Sequence, residues 1–364
     1  MTNHRRLYVI IFAFFVFDPM AIWAQKPLVW DIERLEVLKP SDSGGKSILH
    51  NANIYIEQEC PLITDKDSSF SGSKHNYESL STYFWPQEGN PSAPWINKDG
   101  QKNPERLKYD GAKINTFSYR CKYFAQAYII TADTQYAEQY LKDVKSWFVD
   151  KKTKMNPNFE YAQIVPNTLN NHGRPHGIID AYVMIDVVES LMLMRQKGVV
   201  DQTTDKKIKK WFIKFSTWLR ESDNGIKQSQ YNSNLSLAYD VMMCEFYHYI
   251  GDYYHYNGIV SRFANERLEK QFMLDGSQPQ ELKRAKPMSY CIYNLEHVLD
   301  FCVMQNSIGK NFYILHKQLI DAAANYIANK LDDVNSLIDA EKSDYESLKK
   351  KNARLQVLLD NLKR

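Results

Sequence analysis

"WFIKFSTWLRESDNGIKQSQYNSNLSLAYDVMMCEFYHYIGD", Trp211 to Asp252, holds two helical patterns and the joint between them. Apolar residues recur at three- and four-residue steps over 204–221 and again over 234–250. "ESDNG" breaks the first pattern and "GD" ends the second. Two long helices on a short joint pack antiparallel. The same unit recurs on both sides, with helices predicted over 113–131, 135–149, 178–197, 258–272, 288–307 and 311–330. Their joints carry "TADT", "MNPN", "DGSQPQ" and "NSIGK". Glycine is sparse, at 14, and there is no series of short alternating strands. The chain therefore reads as all-α: an α/α toroid (an incomplete barrel of antiparallel helix pairs) or an α-solenoid. No fixed sequence period supports the solenoid.

The ends read differently. Residues 1–24 place Arg5 and Arg6 before an apolar run from Leu7 to Phe17, with Ile22 and Ala24 suited to a signal-peptidase site. Asp18 and Pro19 stop the run short of the roughly 18 apolar residues that a membrane span needs. A signal peptide over 1–24 and export to the periplasm or beyond follow. Residues 25–330 form the helical domain. Within it, 40–112 is rich in Pro, Gly, Ser and Asn but holds Tyr83, Phe84, Trp85 and Trp95, and it reads as a loop-rich wall over a cleft. In 331–364, Leu331, Val334, Ile338, Tyr345, Leu348, Leu355, Leu359 and Leu362 follow heptad spacing, with Glu341 in a d slot and Asn352 in an a slot. This C-terminal helix either docks on the domain or joins two copies as a coiled coil, which would make a homo-oligomer.

A net charge of +3 does not suggest nucleic-acid binding. The five cysteines, Cys60, Cys121, Cys244, Cys291 and Cys302, are scattered, with no C-x-x-C pair for zinc or redox chemistry. Cys121, Cys244 and Cys302 sit in apolar, helix-like surroundings and read as buried thiols. No metal-ligand cluster and no cofactor motif stands out. The 24 tyrosines and 7 tryptophans serve either core packing or carbohydrate stacking.

Several segments resemble, in order and spacing, the alginate lyase superfamily, which includes alginate and glucuronan lyases with an α/α-toroid fold. They are "ITDKDSSFSGSKHNYESLSTYFWP", "INKDGQKNPE", "YAEQYLKDVKSWFVDKKTKMNPNFEYAQ", "GIID" and "DGSQPQELKRAKPMSYCIYNL", spanning roughly residues 60–310. The resemblance implies β-elimination of a 4-linked uronate polysaccharide, with that acidic polymer as partner and no cofactor. The C5 proton next to a carboxylate is barely acidic, so hydrogen-bond donors must neutralise the carboxylate before a base removes it. A proton must also reach the departing O4. By the motif, Arg284 and Tyr290 in "QELKRAKPMSYCIYNL" inherit the neutralising and acid/base roles. Pro287 suits the first helical position, so Tyr290 falls in the first turn. A neighbouring cation would lower its pKa from the ordinary value near 10. Tyr293, one turn on, is a backup phenol, and Glu281 either steadies Arg284 or is exposed.

In relatives an Asn-Asn-His-Gly motif precedes Tyr-Asp by three residues. Here that place is Ser233-Asn234-Leu235-Ser236, before Tyr239-Asp240. The amide survives as Asn234, and Leu235 holds the histidine position. "NNHGRPHG", Asn170 to Gly177, imitates the motif but lies some 60 residues too early. Its loop leads into a helix, and helix N-termini favour anions. His172 is the first choice as replacement imidazole and His176 the second. Asn171, Arg174, Tyr293, His75, Tyr83, Trp85 and Trp95 are candidate sugar-binding residues.

The resulting expectation is an exported lyase, with Tyr290, Arg284, Asn234 and His172 as catalytic residues and no membrane span once the leader is removed. The alternative is a non-catalytic polyuronate-binding protein on the same scaffold, suggested by Leu235. A toroidal glycoside hydrolase needs two facing carboxyls. Asp240, Asp275 and Glu281 show no such spacing.

Overall fold

A computed structural model describes residues 25–168 and 171–363. The expected leader 1–24 and Asn170 lie outside the described residues. In chain order the helices are α1 (Ile32–Val37), α2 (Ser43–Ile56), α3 (Asp110–Thr131), α4 (Thr134–Phe148), α5 (Met184–Gln196), α6 (Gln202–Glu221), α7 (Asp223–Ser229), α8 (Asn234–Ile250), α9 (Tyr253–Phe263), α10 (Glu269–Gln271), α11 (Pro287–Ser307), α12 (Phe312–Leu331), α13 (Asp339–Lys342) and α14 (Tyr345–Leu362). The strands are short: β1 (Glu78–Leu80) pairs in parallel with β4 (Tyr161–Ile164), and β2 (Phe84–Trp85) pairs antiparallel with β3 (Ile96–Asn97). Among the described residues no helix is long and apolar enough to cross a membrane.

The two patterns of the Trp211–Asp252 stretch bury different amounts of surface, and that difference makes the layers. α6 buries one stripe, Ile208, Trp211, Phe212, Phe215 and Leu219, and leaves the opposite face to water. Every residue of α8 from Ser236 to Tyr249 is buried. A helix buried all round needs neighbours on every side. α3, α5, α8 and α11 accordingly pack as an inner row, each against the next, and each carries an antiparallel outer partner: α4, α6, α9 and α12. This is the α/α toroid. The row does not close as a ring; α11 turns instead to α12 and α14.

Several boundaries differ from the sequence expectation. The wall over 40–112 contains a helix, α2, which packs on α3. "ESDNG" is not a bare joint. Ser222 caps α7 there, and Gly225 lies so close to Leu219 that a Cβ would meet its carbonyl oxygen at 1.7 Å. The helix expected over 178–197 starts as a 3-10 stretch, Pro175–Val183, before α5. The helix expected over 258–272 begins earlier, because Asp252 caps α9, and passes through a π turn at Ala264–Leu268. Cys121, Cys244, Cys291 and Cys302 are buried free thiols.

The tail docks within the chain. The continuous heptad helix expected over 331–364 is broken by a turn at Val334–Ser336 and by the single turn of α13. Its apolar seam, Leu348, Leu355, Leu359 and Leu362, is buried, and α14 packs on α11 and α12. The seam that would hold a coiled coil is thus occupied inside the chain. The polar misfit of the heptad has a specific use. Glu341 is buried and accepts the backbone N–H groups of Met288 at 3.0 Å and Ser289 at 2.8 Å, the first turn of α11. A carboxylate there satisfies orphan donors and meets the positive end of the helix.

A second polar lock ties α11 to the stretch before α5. The Tyr182 hydroxyl donates to Asp300 at 2.5 Å. The His297 imidazole lies edge-on between Tyr182 and Tyr293, with ring centroids 4.5 and 4.3 Å away. Burial, aided by the charge of Glu296, pushes the Asp300 carboxyl up to about 7.

Both locks can be tested through stability. Glu341→Ala should cost about 1–3 kcal/mol in urea denaturation, since it leaves two helix N–H groups unpaired; a change below about 0.5 kcal/mol, the size of a neutral surface substitution, would refute the capping role. Asp300 keeps its proton in the folded state up to about pH 7. The unfolded carboxyl releases it near the ordinary value of about 4. The folded state binds more protons in that window, so stability falls as pH rises from about 4 to about 7. Asp300→Asn should flatten the fall of melting temperature across that range, and parallel profiles for the two proteins would count against the lock.

Candidate active site

A cavity of about 1300 Å³ opens where the N-terminal ends of the four inner helices meet the wall loop. Gly111, Ile114 and Asn115 of α3, Tyr182 and Val183 before α5, Asn234 and Leu235 of α8, and Ser289, Tyr290 and Tyr293 of α11 all face it. The helix dipoles add positive potential at this rim. The facing wall comes from residues 77–106, including Tyr83, Asp99, Lys102 and Arg106.

Arg284 and Tyr290 meet as the sequence suggests. Pro287 starts α11, Tyr290 falls in its first turn, and the Arg284 guanidinium carbon lies 3.7 Å from the centre of the phenol ring. The organiser of the pair is a residue not marked by the sequence. Asp99 accepts from Arg284 Nε at 3.0 Å and Nη2 at 2.9 Å, from the backbone N–H of Ala285 at 3.0 Å and from the Tyr290 hydroxyl at 3.3 Å. The Arg284 fork holds the Asp99 carboxyl down at about 2, so it stays ionised. The expected lowering of the Tyr290 pKa does not occur. Burial, with Tyr83 alongside, outweighs the cation and raises the phenol above its ordinary value. Tyr290 therefore holds its proton at rest.

Asn234 lines the cavity but is buried, and its backbone N–H and side-chain amide both donate to Glu281 at 2.8 Å. Glu281 thus steadies the start of α8 rather than standing exposed. Leu235 beside it brings no polar side chain to the cavity.

The imidazole of this cleft is His176, not His172. His172 points away: its side chain is 47% exposed, its Nδ1 faces Glu160 Oε1 at 3.2 Å, and its ring stacks on Tyr161. Asn171 does not reach the cavity lining either; its side-chain oxygen faces the Asn167 backbone N–H at 3.4 Å. Gly173 and Gly177 turn this loop. Each lies against the backbone of Ala162, where a Cβ would come within 2.5 and 2.3 Å, respectively, of the carbonyl oxygen. That close approach sends His172 outward and His176 inward. His176 lines the cavity, with Nδ1 3.3 Å from the Tyr231 hydroxyl. Burial, with Arg174 and Arg284 nearby, lowers its pKa to about 4, so the ring is neutral at neutral pH.

Arg174 also lines the cavity, its guanidinium carbon 4.7 Å from the centre of the Phe84 ring. Tyr83 and Tyr293 face the same space. Three other expected sugar-binding residues serve the wall itself. His75 Nδ1 meets the Lys154 carbonyl at 2.7 Å, Trp85 donates to the Gln101 carbonyl at 3.0 Å, and the Trp95 backbone N–H donates to the Pro166 carbonyl at 3.4 Å. Asp99, Gln163, Asp180 and Tyr231 line the cavity without having been singled out in the sequence. Gln163 has a left-handed backbone, φ +51°, and donates to Asp180 at 2.8 Å in the cavity wall. Asp99, Gln163 and Asp180 lie inside the segments "INKDGQKNPE", "NPNFEYAQ" and "GIID", so the motifs held the signal without marking the residue. Asp240, by contrast, is paired with Arg262 and Arg267, Asp275 is exposed, and Glu281 holds Asn234, so these three carboxyls do not face one another as a hydrolase pair.

The profile of the alginate lyase family matches residues 63–337. No curated protein sequence matches the chain. Among solved structures, an alginate lyase from Bacteroides ovatus is similar over 92% of both chains, at 29% identity and a TM-score of 0.84. Alginate lyase A1-III from Sphingomonas species A1 shares the fold, at 13% identity and a TM-score of 0.50, over 79% of this chain and 77% of that one. A variant of that enzyme in complex with a tetrasaccharide matches with a TM-score of 0.51, at 13% identity over the same shares.

Proposed function

The chain belongs to the alginate lyase family, and from that premise we propose that it cleaves a 4-linked polyuronate, alginate or glucuronan, by β-elimination. One observation carries the reading. Arg174 faces the cavity with no carboxylate partner among the described residues, and its Nε is buried without a hydrogen bond. Burial lowers its pKa even though the Asp180 charge opposes the shift, and Asp180 makes no ion pair with it. A uronate carboxylate is the anion that fits.

Arg284 has the complementary role. Its charge is already matched by Asp99, so it positions the phenol and stabilises the phenolate rather than serving as the main carboxylate partner. His176, neutral and with Nδ1 towards the Tyr231 hydroxyl, offers Nε2–H as a second donor to the carboxylate. It takes the part that Leu235 cannot. The Tyr290 phenol first loses its resting proton to solvent, and Arg284 over the ring face stabilises the phenolate. With the carboxylate neutralised, that phenolate removes the C5 proton, and the electron pair forms the C4–C5 double bond as the C4–O4 bond breaks. Tyr290 then passes the proton to O4, which leaves as the hydroxyl of the new chain end. Export, expected from residues 1–24, suits a polymeric substrate.

The test is turnover of mannuronate, guluronate and glucuronate polymers, followed by the ultraviolet absorbance of the unsaturated product. Wild type should release it on at least one polymer. Tyr290→Phe should lower the rate by about 100- to 10,000-fold, the usual worth of acid–base catalysis, while the polymer still binds. A folded wild type silent on all three polymers would sink the reading, and binding without product would favour the non-catalytic alternative.

A further inference from the structure

The cavity holds a second group of cations that the elimination does not use. Lys102 and Arg106 come from the wall, Lys286 from the residue before α11, and Lys351 from α14. Segments far apart in the chain thus bring four cations to one part of one cavity. Two carboxylates act on them: Asp344, to which Lys286 Nζ donates at 2.6 Å, and the buried Asp180, whose charge is felt by Arg106. Lys102, Arg106 and Lys351 have no ion-pair partner among the described residues. Burial and the charges of Arg106, Lys351 and Lys286 lower the Lys102 pKa, so these cations lie near enough to repel one another. Gathering like charges in a cleft costs stability unless an anion offsets it, and it focuses potential on an arriving polyanion.

We infer that Lys102, Arg106 and Lys351 form an anion subsite for a carboxylate of the glycan chain remote from the sugar being cleaved, and that the docked C-terminal helix belongs to the substrate-binding surface. This inference rests on the lyase reading, because it takes the bound polymer to be a polyuronate. A polyuronate carries one carboxylate per sugar, so a chain held at Arg174 presents further carboxylates along the cleft. Lys351 is held at the cavity because Leu348, Leu355 and Leu359 fix α14 against α11 and α12.

The experiment compares KM and kcat on the polymer for Lys351→Glu, Lys102→Gln and Lys349→Glu. Lys349 lies on the same helix, packs over Tyr345 and does not line the cavity, so its variant makes the same charge change as a control. Lys351→Glu should raise KM about tenfold, the effect of one partly desolvated charge pair, with kcat kept. Lys102→Gln, which leaves the helix untouched, should raise KM in the same direction. Lys349→Glu should leave KM near wild type. Equal KM values for Lys351→Glu and Lys349→Glu, in an enzyme that Tyr290→Phe silences, would overturn the subsite and leave the lyase reading intact. If wild type turns over no polymer, the lyase reading fails. Calorimetric binding of the same polymer then decides the subsite: weaker binding by Lys351→Glu alone supports it, and unchanged binding overturns it.

Discussion

Four inner helices run the same way, and that alignment governs the rest of the molecule. Each inner helix must return through an outer partner before the next begins, so all four N-termini reach one rim. The helices that start afresh at this rim, α3, α8 and α11, carry unsatisfied N–H groups and a partial positive charge. The protein answers with carboxylates: Glu281 at the start of α8, Glu341 at the start of α11, and Asp110 in the first turn of α3. What remains positive faces the cavity, together with Arg174 and the lysines of the wall and tail. An anionic polymer is the ligand this electrostatic arrangement suits.

The toroid alone does not complete the site. Asp99, on the wall, orients Arg284 and accepts from the Tyr290 hydroxyl. The wall is held by the β2–β3 pair and by Asn103, whose amide donates to the Phe84 carbonyl at 2.8 Å. The tail closes another side and caps the helix that carries Tyr290. Three segments with different local structure therefore converge on one phenol. Their convergence explains why that phenol is half-buried and protonated even with a guanidinium on its ring face.

Much of this was legible in the chain. The burial stripe of α6 and the all-round burial of α8 are direct consequences of apolar spacing, and Pro287 marks the start of α11. Arg284 and Tyr290 meet because they lie six positions apart across one helix start, which is a local matter. The loop before α5 departs from expectation for a reason that spacing cannot express. His172 and His176 lie four apart in one loop, and Gly173 and Gly177 decide which of them faces the cavity by packing against Ala162. The heptad pattern of the tail likewise marked a buried seam without saying what would bury it.

By itself the sequence determined the helix pairs and the phenol beside its guanidinium, because periodic burial and helix starts are written into neighbouring residues. Only the tertiary structure decided that Asp99 organises that pair, that His176 rather than His172 is the imidazole of the cleft, and that the tail docks on its own chain. Each of these depends on contact between segments distant along the chain. Such contacts are set by the close approach of backbones and the burial of charge, and neither leaves a period in the sequence.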